Sequence, residues 1–273
     1  MMPSRSIHAR TMGPEGARDV TRALPEEVPV AVTCNGTTQA VMMCTPADLE
    51  DFARGFAFTE GYARPDQVER IEIIETELGI EARLWIAEKA AEALGARRRA
   101  MMGPVGCGLC GIESLEEALR DLPPVTGTLT LDAGEAAGAV DALRAHQPLH
   151  DLTHAVHAAG FYMPGSGPGQ GIVLAREDVG RHNALDKLIG AMQRAEIDPA
   201  CGAMVITSRV SVEMVQKAVL AGCPVLIAVS APTAHALRLA EGAGLTVAAF
   251  ARGARVEAFT HTHRIVTGET DVA

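Results

Sequence analysis

Two β-prone apolar runs, Val28 to Cys34 and Thr37 to Cys44, flank Asn35-Gly36, the dipeptide that most favours a tight hairpin turn. Leu49, Phe52, Ala53 and Phe56 then recur at i, i+3, i+4 and i+7, the stripe of an amphipathic helix. Ahead of that stripe, Thr45-Pro46-Ala47-Asp48 supplies an N-cap hydroxyl, a proline for the first helical position and an acid three residues after the cap. Gly61 closes the helix. Two further strand-like runs, Val68 to Glu75 and Ala82 to Ile86, complete a ββαββ order. One helix can then cover one sheet, which predicts a small α+β roll. A helical stretch around Glu88 to Met102 follows, whereas residues 1 to about 26 mix Pro, Gly and Arg without periodicity and are expected to be a mobile leader.

Beyond Pro123-Pro124 the pattern changes. Leu185, Leu188, Ile189 and Met192 form one helical stripe, and Val212, Val215 and Val219 another. Ala203 to Thr207, Val225 to Val229 and Leu245 to Ala251 are continuous apolar runs, as expected of strands buried on both faces. A helix at Thr233 to Ala243 separates the last two. Right-handed β-α-β crossovers join such strands, so this half is expected to be α/β with a largely parallel core. The division predicted is a leader at 1–26, a smaller N-terminal α+β domain at 27–123, an α/β domain at 124–265 and a tail at 266–273.

Composition narrows the function. The 273 residues are 48% hydrophobic and 21% charged, the balance of a globular chain. A formal charge of −10 argues against broad duplex binding, and 3% aromatic content leaves few platforms for single-stranded bases. No nucleic-acid partner is expected. The apolar runs are strand-sized, so no membrane partner is expected either. Six cysteines, four scattered and two close together, are not a disulfide framework, and a cytoplasmic, reducing location is expected.

Two of those cysteines, Cys107 and Cys110, sit in the glycine-rich segment Gly103-Pro104-Val105-Gly106-Cys107-Gly108-Leu109-Cys110-Gly111. The pair supplies half a tetrahedral zinc shell with no second half nearby, and a thioredoxin-like dithiol would begin a helix directly after a strand. Deaminase-type zinc chemistry uses His-x-Glu and Pro-Cys-x-x-Cys. None of the nine histidines has Glu two residues on, and Pro104 is not adjacent to Cys107. No metal site is predicted. A sulfur carrier needs an accessible nucleophilic thiol on a segment mobile enough to meet two partners, and glycines on both sides supply that mobility.

Ligands of parallel α/β sheets gather beyond the carboxyl ends of the strands. Those positions hold Ser208-Arg209, Ser230-Ala231-Pro232, and Arg252 with Arg255, a lining of hydroxyls and guanidinium groups suited to phosphates. Helix N-termini at Ser211 and Thr233 would add backbone donors. Glu177-Asp178-Val179-Gly180-Arg181-His182-Asn183 is a second polar cluster, in which Asp178 either caps a helix or belongs to a pocket with Arg181 and His182. His150, His154 and His157 have metal-like spacing, but Asp151 is the only acid near them.

Cys107-Gly108-Leu109-Cys110-Gly111, the run from Glu177 through Asp178-Val179-Gly180-Arg181-His182-Asn183-Ala184-Leu185-Asp186 to Lys187, and the run from Ser208 through Arg209-Val210-Ser211-Val212-Glu213-Met214-Val215-Gln216 to Lys217 closely resemble the formate dehydrogenase accessory sulfurtransferases, the FdhD family. Ala221-Gly222-Cys223-Pro224-Val225-Leu226 and Val229-Ser230-Ala231-Pro232-Thr233 also fit, and the similarity runs from about Val28 to Thr260. The resemblance implies a carrier that accepts sulfur from a cysteine desulfurase as a persulfide. The carrier then passes that sulfur to the molybdenum or tungsten bis-guanine-dinucleotide cofactor of formate dehydrogenase, for which GDP is a mimic. It also implies a homodimer and a C-terminal domain of cytidine-deaminase-like fold without the deaminase's zinc. The family's persulfide cysteine falls on Cys107 with Cys110 as companion, and its dinucleotide-binding stretch on Phe250, Ala251, Arg252, Gly253, Ala254 and Arg255. The chain departs from the family at Thr153-His154-Ala155-Val156-His157, where a glycine pair is often found, and at Glu257-Ala258, where an Asn-Val pair is common. A non-catalytic cofactor chaperone and a dithiol oxidoreductase are the competing readings.

Overall fold

The computed structural model describes residues 1–101, 122–165 and 171–267. The segment expected to be a leader instead forms an antiparallel ribbon of β1 (Ser4–Gly13) and β2 (Gly16–Pro25). Its cross-strand pairs run from Ser4 opposite Pro25 to Gly13 opposite Gly16, so Gly13-Pro14-Glu15-Gly16 turns the chain. Almost every ribbon residue is exposed, and the ribbon therefore has no buried apolar stripe to betray it in the sequence.

The predicted ββαββ unit is present. A four-stranded sheet in the order β4-β3-β6-β5 is built from β3 (Val28–Cys34), β4 (Thr37–Cys44), β5 (Val68–Thr76) and β6 (Gly79–Ile86). Asn35 and Gly36 both have positive φ, 44° and 79°, as a type I′ hairpin turn requires. The Asn35 side chain also bridges to Ile86, donating to its carbonyl at 3.0 Å and accepting from its N–H at 2.8 Å. Helix α1 (Leu49–Thr59) covers the sheet through Phe52, Ala53 and Phe56. Gly61 follows at φ 73° and donates to Phe58 O, the expected glycine stop. The start of α1 differs from expectation. Thr45 is fully buried and does not cap it; its hydroxyl accepts the N–H of Val179 at 3.1 Å. Asp48 stands at the cap position with φ 52° and makes no side-chain cap bond. Helix α2 (Glu88–Met101) adds Ala90 and Leu94 to this core.

The second sheet has six strands in the order β13-β12-β11-β10-β8-β9. Its centre is the predicted parallel set, β10 (Ala203–Ile206), β11 (Val225–Ala228) and β12 (Thr246–Arg252). Antiparallel strands flank that set: β8 (His157–Met163) and β9 (Gly171–Asp178) on one side, β13 (Arg255–Ala258) on the other. Helix α3 (Ala133–Arg144) covers one face, capped by Asp132, which accepts from Gly134 and Glu135 N–H. Helices α5 (Arg181–Arg194), α6 (Val212–Leu220) and α7 (Ala234–Ala243) cover the other. Short helix α4 (Pro148–Thr153) lies against β2, and β7 (Leu131–Asp132) pairs in parallel with β14 (Ile265–Val266). The architecture is mixed α/β, and no helix among the described residues is long and apolar enough to cross a membrane.

The two layers join where α1 crosses α5. A Cβ on Gly55 would collide with the Asp186 carbonyl, and one on Gly190 with the Asp51 carbonyl, so the backbones touch. Buried charges surround the crossing. Lys187 pairs with Asp178 at 2.7 Å, and both are fully withdrawn from solvent. Lys217 bonds Asp186, Glu60 and Thr59 at 2.8 to 3.0 Å. Asp51, itself buried, takes Arg176 and Arg194.

Candidate functional site

Because β10, β11 and β12 are parallel, their carboxyl ends share one edge of the sheet, and a bridge between Val210 and Pro232 ties the first two exits together. Ser211 and Thr233 stand at the N-caps of α6 and α7 as expected, and the Thr233 hydroxyl accepts from Ala236 N–H at 3.2 Å. Ser208 is buried and donates its hydroxyl to Arg209 O at 3.1 Å, while Arg209 is exposed and Ser230 half-buried.

The Glu177–Asn183 cluster divides in two. Asp178 neither caps α5, whose N-cap is Gly180, nor reaches solvent. It accepts from Thr45 N–H, Gly180 N–H and the Asn183 amide at 2.8 to 3.0 Å besides pairing with Lys187. Asn183 donates to Met43 O as well. These residues fasten the two layers together. Arg181 and His182 remain at the rim. Arg181 Nε and His182 Nε2 are buried atoms without a hydrogen-bond partner among the described residues. The nearest carboxylate to that imidazole is Glu213 Oε2, at 3.8 Å, too far for a hydrogen bond. Burial, then the Arg181 charge, lowers the His182 pKa below its ordinary 6.5. The same two causes lower His157, with His150 adding to them. Both shifts favour the neutral form of these two imidazoles.

At the far side of the same edge, β12 and β13 form a hairpin whose tip is Gly253-Ala254. The register shifts between Ala249 and Arg252, and Phe250 takes φ 52°, a left-handed conformation uncommon for a bulky side chain. Ala249 and Ala251 are buried, whereas Phe250 and Arg252 are exposed. A cleft of about 480 Å³ opens there, lined by Phe250, Arg252, Ala254, Arg255, Val256, Glu257 and Ala133. Four of the six residues expected to bind the dinucleotide line this cleft. Ala251 packs inward with the α3 core instead, and Gly253 holds the turn at φ 59°. No ion pair or side-chain hydrogen bond among the described residues engages Arg252 or Arg255, so both guanidinium groups are available to anionic oxygens. The Arg181–His182 rim contributes nothing to the cleft lining. Glu257, which the sequence marks as a departure from the family but not as a binding residue, does line it; its period-two spacing from Arg255 puts both on one face of the strand.

Cys107 and Cys110 lie outside the described residues. The described thiols are poorly suited to nucleophilic chemistry. Burial pushes Cys34 up to about 11 and Cys223 to about 12. Cys44 is raised further by burial and the Asp178 charge. Cys201 is exposed, yet desolvation, the neighbouring Asp198 carboxylate and the 3.7 Å bond to it also raise its pKa. None of the four favours the thiolate on which sulfur chemistry depends.

The family model FdhD/NarQ matches residues 25–266. Among curated proteins, the sulfur carrier protein FdhD of Agrobacterium fabrum is 50% identical over 247 residues, covering 90% of each chain. That of Brucella abortus is 50% identical over 265 residues, covering 96% of this chain and 97% of its own. A crystal structure from Desulfotalea psychrophila, described as that of a formate dehydrogenase accessory protein, superposes with a TM-score of 0.76 at 25% identity, over 96% of this chain and 99% of that one.

Proposed function

The chain belongs to the FdhD/NarQ family, and from that membership we propose that it is a persulfide sulfur carrier serving formate dehydrogenase. In this reading it works as a cytoplasmic homodimer. A cysteine desulfurase is the donor, and a molybdenum or tungsten bis-guanine-dinucleotide cofactor is the acceptor, bound as substrate. The carrying observation is the hairpin cleft, where two arginines unpaired among the described residues and an exposed phenylalanine meet at the carboxyl edge of the sheet. Its size falls in the range of small-molecule sites, and its guanidinium groups match the diphosphate of a dinucleotide.

The sulfur steps need no resident metal. The Cys107 thiolate attacks the terminal sulfur of the donor persulfide, a new S–S bond forms, and the donor leaves as a thiolate. Cys107 then holds the borrowed sulfur as its own persulfide. Attack by the Cys110 thiolate on Cys107 Sγ forms a disulfide and expels the terminal sulfur as hydrosulfide, reduced by two electrons, to the bound acceptor. A cellular dithiol reductant restores the pair.

Labelled sulfur separates this reading from its competitors. Cys107→Ala is expected to abolish sulfur delivery and to leave GDP binding intact. A pure cofactor chaperone would keep both activities. A dithiol oxidoreductase would take up no label in any variant, whereas the carrier with Cys110→Ala should still load labelled sulfur on Cys107 and fail only to release it. For the cleft, replacing Arg252 and Arg255 together by Ala is expected to weaken GDP binding roughly tenfold or more and to flatten its salt dependence. Unchanged binding would remove them from the site.

A further inference from the structure

Beside the phosphate-binding Arg255, the hairpin turns outward Glu257 and Phe259, which phosphate binding does not use. Arg255, Glu257 and Phe259 are all exposed, two residues apart, on one face of β13 and its continuation, as strand geometry places them. Phe259 stands against Phe250, with ring centroids 6.1 Å apart and planes tilted by 51°. Two neighbouring phenylalanines 44% and 38% exposed are conspicuous in a chain of only 3% aromatic residues. Glu257 lines the same cleft as Arg252 and Arg255, yet pairs with neither among the described residues. A carboxylate beside the diphosphate would repel it. Two residues of strand, about 7 Å, separate Glu257 from Arg255, and Arg255 is paired directly with Arg252 across the hairpin. Cationic and anionic groups therefore address different ends of a ligand.

We propose that Glu257 reads the base of a guanine nucleotide, with Phe250, backed by Phe259, as its stacking platform; this rests on the nucleotide reading of the cleft given above. A carboxylate only accepts hydrogen bonds. The Watson–Crick edge of guanine offers two adjacent donors, N1–H and the N2 amino group, which one carboxylate meets together. Hypoxanthine keeps only the first of these donors. Adenine presents an acceptor at N1, which a carboxylate rejects because a desolvated acceptor is then left unmatched. Aromatic stacking adds affinity without choosing the base. Selectivity then resides in Glu257, a position where this chain carries an acid.

Titration of the full chain with GDP, inosine diphosphate and ADP tests the assignment. The wild type is expected to prefer GDP over inosine diphosphate by roughly tenfold, and over ADP by more. Glu257→Ala should bring GDP and inosine diphosphate to within about twofold of each other, whereas Arg252→Ala should weaken both alike. Glu257 is exposed, so its replacement leaves folding undisturbed. GDP binding with the same preference in Glu257→Ala, or with no preference in the wild type, overturns the role of Glu257 and leaves the cleft a nucleotide site. Absence of any nucleotide binding by the wild type overturns the cleft reading itself.

Discussion

Lys187 and Asp178 are 2.7 Å apart with no exposure to water, and the cost of losing one is set by what remains. Lys187→Met leaves a buried carboxylate without its counter-charge and is expected to destabilise the fold by about 3–5 kcal/mol. Chemical denaturation measures this directly, and a loss below about 1 kcal/mol would mean that the N–H donors around Asp178 suffice alone. The two histidines whose pKa values are lowered behave differently. His157 and His182 have pKa values lowered from 6.5 by burial and the Arg181 charge, so the unfolded chain binds their protons more readily than the folded one. Their contribution to stability is complete above pH 6.5 and is lost as pH falls through the lowered values. Replacing both by Gln is expected to flatten the stability profile below pH 6.5. An unaltered profile would show that other groups govern acid unfolding.

At the scale of elements, the crossing of α1 and α5 depends on two residues without side chains. Gly190→Ala forces a methyl group into the Asp51 carbonyl and is expected to cost about 1–3 kcal/mol by pushing the helices apart. Gly55→Ala meets the facing backbone at the same place, so the two losses should not add. Equilibrium unfolding of the single and double variants checks both statements. Elements whose signals are local were legible in the sequence: the Asn35-Gly36 turn, the Gly61 stop, the Ser211 and Thr233 starts, and the parallel strands with their uninterrupted apolar runs. Thr45 carries a helix-cap signal in the sequence but bonds elsewhere, because its partner, Val179, lies 134 positions along the chain. Asp178 was ambiguous for the same reason, since Thr45 and Lys187 approach it from different elements. The β1–β2 ribbon leaves no such signal because neither strand buries a face, which removes the alternation that marks a half-buried strand.

For the whole molecule, the sequence placed the three parallel strand exits and the arginine-bearing hairpin on one edge, and the fold unites them there. It did not separate the hairpin cleft from the Arg181–His182 rim, because their distance depends on sheet order rather than on spacing along the chain. The ribbon lies against α4, away from the cleft lining. Deleting residues 1–25 is therefore expected to change neither GDP affinity nor unfolding midpoint appreciably, and a large loss of either would tie the ribbon to the site. Sulfur carriage itself is tested most directly by mass spectrometry of the chain after incubation with a cysteine desulfurase and cysteine. The expected result is a gain of about 32 Da, one sulfur atom, on the peptide bearing Cys107 and its absence in Cys107→Ala. An unmodified Cys107 peptide beside a fully loaded desulfurase would contradict the account.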